Sequence, residues 1–131
     1  MKKLYDCVIY TDSNGNDLLG QKRYIWHFPN NTPKGDFWSV LVYDCSTRQM
    51  VCTDQSWPSV HAKSNNLTFN RDQSFDIFFG PQVPNLGEQN WIKTKRGIQW
   101  FAKFSIYGNI SSGIVVKWSP EKIRENNSSG L

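Results

Sequence analysis

Along residues 98–107, IQWFAKFSIY, apolar side chains return at every second position. Ile98, Trp100, Ala102, Phe104 and Ile106 share one side of an extended chain, and Gln99, Phe101, Lys103, Ser105 and Tyr107 share the other. A period of two is the signature of a β-strand, so the first set predicts a core stripe. Tyr24, Trp26 and Phe28 form a similar stripe, opposite Arg23, Ile25 and His27. The same reading predicts strands over 5–11, 22–28, 37–44, 50–54, 66–70, 75–79, 91–94, 98–107 and 114–118. The segments between them are turn-forming: SNGND, PNNTPKGD, NRDQS, PQVPNLGEQN, KRG and GNISSG. Helical periodicity is nearly absent; PEKIRENNSSGL offers at most a short helical turn near the C-terminus. Many short strands punctuated by turns predict an all-β fold, an antiparallel sandwich or barrel. It occupies one domain over 1–124, followed by a flexible tail over 125–131.

The segment FWSVLVYD, 37–44, is ambiguous because both of its faces are apolar. Phe37, Ser39, Leu41 and Tyr43 point one way, and Trp38, Val40, Val42 and Asp44 the other. One face enters a core. The second, carrying Trp38, Val40 and Val42, is too apolar for bare solvent. The expectation is a cover supplied by a long loop, by the Trp118 segment or by another chain. Trp38, Val40 and Val42 are therefore the candidate interface of a homo-oligomer.

Composition supports a packed core: 38% of the 131 residues are hydrophobic and 15% aromatic. No apolar run approaches the roughly 18 residues of a membrane span. The opening MKKLYDCVIYTD interrupts its apolar stretch with Asp6, Tyr10 and Asp12, unlike a signal peptide. The expected setting is cytoplasmic or intracellular, with no membrane partner. Cys7, Cys45 and Cys52 are an odd set without a CxxC pair. A hairpin turning at 46–49 would put Cys45 opposite Met50 and Cys52 near Tyr43, which predicts reduced thiols. The sequons at Asn30, Asn66, Asn109, Asn126 and Asn127 read as surface loop residues. The net charge is +4. The dense basic cluster is Lys93, Lys95 and Arg96, a mild bias toward anionic partners.

The order of segments carries a resemblance. NDLLGQKRYIWHFPNNTPKGDFWSVLVYD, TRQMVCTDQSWPSV, SFDIFFGPQVPNLGEQNWIKT, SIYGN and KWSPEKI follow one another in register over about 11–124. This series resembles the L-x-G, F-P, FWS-x-x-x-YD, TDQ-x-x-PS, NWI-x-T and Y-G-P motifs of domain-of-unknown-function family 1214. The resemblance implies a jelly-roll-type sandwich and little about chemistry. Members usually carry this domain behind a family 1254 domain, so the sequence as given reads as a stand-alone version. Ser105 stands where the family has Arg, Asn109 replaces the Pro of Y-G-P, and Arg71-Asp72-Gln73 replaces an Asp-Gly turn. An anion or partner contact made by that Arg would be lost here.

Chemistry-bearing residues are sparse. His27 and His61 are the two imidazoles, and neither has a partner placed by sequence. With Asp44 and Asp54 they are weak catalytic candidates. No ligand spacing predicts a metal site, and no nucleophile elbow, phosphate loop or dinucleotide fingerprint implies a cofactor, so none is expected. The loops TDQSWPSV and NLGEQNWIKT combine rings with amides and a carboxylate. Asp54, Gln55, Trp57, Asn90 and Trp91 form the candidate ligand-binding set, suited to a sugar or small ligand. The bland alternative is that Gln55 and Asn90 satisfy loop backbone while the tryptophans plug the sandwich. KRGIQWFAKF only loosely matches an RNA-recognition consensus, and its Trp100 falls on the core stripe, so a nucleic-acid partner is disfavoured. The preferred reading is a non-catalytic binding or assembly module for a glycan, a protein or its own copy. The rival is a small hydrolase- or lyase-like enzyme using a carboxylate and histidine in a cleft.

Overall fold

The computed structural model describes residues 2–55, 58–65, 67–85, 89–109 and 118–126. The alternating segments form β1 (Lys2–Ile9), β2 (Leu18–Leu19), β3 (Tyr24–Phe28), β4 (Phe37–Asp44), β5 (Ser59–His61), β6 (Phe75–Gly80), β7 (Trp91–Lys93), β8 (Gln99–Gly108) and β9 (Arg124–Glu125). One sheet runs β1-β8-β4-β5, with β2 also on β8, and the other runs β7-β6-β3-β9. The chain crosses between the sheets repeatedly and brings the long β1 and β8 side by side, which is the jelly-roll-like feature of this all-β sandwich. Pairing is antiparallel except between β6 and β7, which run parallel.

The two aromatic stripes meet between the sheets. Tyr24, Trp26 and Phe28 of β3 face Trp100, Phe104 and Ile106 of β8, and all six are at most 1% exposed. Phe28 stacks on Phe75 at 5.0 Å, and Phe104 lies 4.9 Å from Phe28. Trp26 Nε1 donates to the Glu121 carbonyl at 2.8 Å, so the ring keeps a partner while its body is dry.

The structure corrects the reading of β4. Trp38, Val40 and Val42 are 2%, 0% and 0% exposed and belong to the core, so they form no interface. Register is the reason: they pair with Ile106, Phe104 and Ala102 of the β8 stripe, and directly opposed residues share a face. Trp38 is covered by the second sheet, stacking on Phe75 at 4.8 Å. Trp118 instead packs beside Tyr5 and Phe104. The outward face carries Phe37, Leu41 and Tyr43, and its rings find neighbours of their own. Tyr43 stacks on Phe101 at 5.2 Å, with Tyr10 and the Arg48 guanidinium against the same ring. Phe101 therefore offers no free face for a nucleobase.

Several boundaries also move. Met50 pairs with Tyr43 rather than with Cys45, because the Asp44–Gln49 turn closes one position earlier in the strand. The three cysteines are free. Segment 50–54 is not a strand, nor are the described residues of 66–70. Most of the predicted strand 114–118 lies outside the described residues. The short β2, β5 and β9 carry too little alternation to be read from sequence. No helical turn occurs near the C-terminus among the described residues; Arg124 and Glu125 pair with β3 instead. Asn126 N–H donates to the Arg23 carbonyl at 2.8 Å, so the sandwich reaches past the expected start of the tail. Among the described residues no helix is long and apolar enough to cross a membrane.

Candidate anion-binding groove

β7 is an edge strand of only three residues, and an edge leaves backbone groups that need partners. Gln55 supplies them. Its Nε2 donates to the Trp91 carbonyl at 3.0 Å, and its Oε1 accepts from Lys93 N–H at 2.9 Å. One side-chain amide thus does the work of a strand residue and clamps the 52–55 loop to β7. Asn90 is likewise structural. It sits at φ +56°, takes the Thr68 N–H, and donates to the carbonyls of Thr68 and Asp76. Trp91 is buried, its Nε1 donating to the Gly80 carbonyl at 3.2 Å. Gln55, Asn90 and Trp91 therefore hold loops together rather than line an aromatic ligand site. Trp57 lies outside the described residues.

The clamp builds a groove of about 490 Å³ from three segments, 52–54, 81–82 and 93–96. Beyond Lys93 the chain turns through Lys95 and Arg96 to Gly97, whose φ of +87° is a conformation that glycine adopts without strain. Among the described residues the groove wall therefore carries three cations and a single carboxylate. The carboxylate is Asp54, which meets Lys93 Nζ at 2.6 Å. The lysine hydrogen bond and charge hold the Asp54 carboxyl below the ordinary carboxylate range. Gln82 and Thr53 add an amide and a hydroxyl, and among the described residues the lining holds no aromatic ring.

Gly20, from the L-x-G stretch, supports this wall from behind. Its carbonyl accepts the Thr94 hydroxyl at 2.8 Å and its N–H donates to the Ile98 carbonyl at 2.8 Å. A Cβ there would overlap the Lys95 carbonyl oxygen. Gly20→Ala is expected to cost about 1–3 kcal/mol as overpacking against backbone, read from urea unfolding.

The catalytic candidates separate. Asp44 caps its own turn, accepting from Ser46 N–H, the Ser46 hydroxyl and Thr47 N–H. Those bonds hold its carboxyl below the ordinary range, with Lys95 adding a smaller effect. His61 Nδ1 accepts from Lys63 N–H at 3.1 Å, which places a neutral ring's proton on Nε2. His27 Nδ1 lies 2.7 Å from Asp76 Oδ1, a pair produced by the β3–β6 register. Neither histidine reaches Asp44 or Asp54 through these bonds. Asp76 Oδ2 accepts from Asn70, so the dyad continues into a turn network with Ser74 and Asp72. Sequence reading missed His27–Asp76 because cross-strand register was unknown. It missed the groove although Lys93, Lys95 and Arg96 were its signal. No group of three or more His, Cys, Asp or Glu side chains gathers as a metal site among the described residues.

Residues 3–110 match the family model described as a protein of unknown function, DUF1214. The chain belongs to the DUF1214 family. No curated protein matches it. The VPA0106 protein from Vibrio parahaemolyticus has a similar fold, with a TM-score of 0.77 at 19% identity over 92% of this chain. An uncharacterised protein from Burkholderia cenocepacia is similar at a TM-score of 0.58 and 15% identity over 93% of this chain. This DUF1214 chain spans 30% and 28% of those two structures, and the likeness is one of fold. At the position where the DUF1214 pattern has Arg, Ser105 is 1% exposed and donates to Asp6 Oδ1 at 2.7 Å. Ser105 is not among the described residues that line the groove.

Proposed function

We propose that this DUF1214 domain is a non-catalytic binding module and that the groove between 52–54, 81–82 and 93–96 takes an acidic glycan. The observation that carries this reading is the charge of the described lining: Lys93, Lys95 and Arg96 against the single carboxylate of Asp54. The volume suits a few sugar units. Cations seat carboxylate or sulfate groups, while Gln82 and Thr53 offer partners to hydroxyls. A neutral sugar would rely on ring stacking, for which the described lining supplies no platform.

Calorimetric titration with a heparin-derived tetrasaccharide, beside neutral maltotetraose, tests the proposal. The sulfated sugar should bind and the neutral one should not. Reversing two charges in Lys95→Glu/Arg96→Glu should weaken binding about tenfold or more at low salt, with the difference shrinking as salt screens it. Equal binding of both sugars, or affinity indifferent to the double reversal, would overturn the assignment.

A further inference from the structure

We propose that Asp54 is a built-in stand-in for the ligand's anionic group, occupying the Lys93 ammonium until an acidic sugar displaces it. This rests on the groove being the ligand site. The two partners of the pair are held very differently. The Lys93 side chain is 27% exposed, whereas that of Asp54 is 80% exposed. The lysine is the seated member and the carboxylate the loose one. The backbone beside Asp54 is pinned, because Gln55 is bonded at both ends to β7. Opening the pair therefore needs only a side-chain rotation of Asp54, with no loop movement.

The chemistry of the pair names its competitor. An Asp carboxylate 2.6 Å from Lys93 Nζ occupies the position that a uronate carboxylate or a sulfate oxygen would take. With Asp54 in place, Lys93 is neutralised and the remaining cations of the described lining are Lys95 and Arg96. With Asp54 turned away, all three cations face the groove. A ligand carrying a single charge gains little by exchanging one carboxylate for another. A ligand with several spaced charges engages Lys95 and Arg96 first and then takes Lys93, so the gate favours polyanionic chains over single anions.

The test is a double-mutant cycle on the intact chain, titrated with the heparin-derived tetrasaccharide and, as the carboxylate arm, a tetragalacturonate. Asp54→Asn keeps the side-chain size and removes the competing charge. It should tighten binding about three- to fivefold, the range set by an exposed ion pair. In a Lys93→Met background the same substitution should have no effect, since the contested ammonium is gone. A gain in one arm only assigns the displaced group to sulfate or to carboxylate and supports the gate. An Asp54→Asn affinity equal to wild type, or a gain that persists without Lys93, would overturn it while leaving the groove as the site. Absence of binding by wild type and Asp54→Asn alike would remove the groove reading and the gate together.

Discussion

Phe104→Ala is expected to be the most damaging single truncation in this chain, costing about 3–5 kcal/mol. Its ring is fully buried and touches those of Tyr5, Trp26, Phe28, Trp38 and Trp118. These come from β1, β3, β4 and the C-terminal segment, so the side chain joins both sheets to that segment. All but Trp118 sit on strands that are hydrogen-bonded to other strands, which limits how far they can collapse into the space left behind. The loss therefore combines transfer free energy with a residual cavity. For a domain of this size it should lower the melting temperature by roughly 10–20 °C. Differential scanning calorimetry measures it, with Tyr10→Ala as the exposed-ring comparison that should move little. A Phe104→Ala protein melting within a few degrees of wild type would refute the central place given to this ring.

Asn90→Ala is expected to cost about 3–5 kcal/mol, for reasons of backbone rather than of packing. Asn90 is 5% exposed at φ +56°, a left-handed conformation that costs most L-residues about 1–2 kcal/mol and asparagine less. Its amide also makes three bonds to backbone groups of Thr68 and Asp76. Alanine forfeits those bonds and adds the conformational penalty. Asn90→Gly restores the conformation alone, and Asn90→Asp keeps the accepting oxygen but loses both donors. The expected order of stability is wild type above glycine, with alanine last, read from urea midpoints. An alanine variant equal to the glycine variant would show that the left-handed conformation contributes nothing.

Much of the fold was legible because period-two alternation is a local property. Trp26 and Trp100 were placed on the core stripe from spacing alone, and strand 37–44 has the bounds of β4. The orientation of that strand was not legible. Phe37, Leu41 and Tyr43 are as apolar as Trp38, Val40 and Val42, and pairing with β8 chose between them. The candidate site divides in a similar way. Gln55, Asn90 and Trp91 stood out for their chemistry, yet each spends its polar group on backbone of β7 or of its neighbour β6. The cluster at Lys93, Lys95 and Arg96 was visible as charge. Its conversion into a groove needed the Gln55 clamp and the Gly20 contact, both made between residues far apart in the chain.

By itself the sequence determined that this chain folds as an antiparallel all-β domain around large rings, because alternation and turn chemistry act over a few residues. Tertiary structure decided which face of β4 is inside, that His27 meets Asp76, and that Asp54 sits on Lys93. Each of those depends on strand register and loop approach, which set distances between residues that the chain order leaves free.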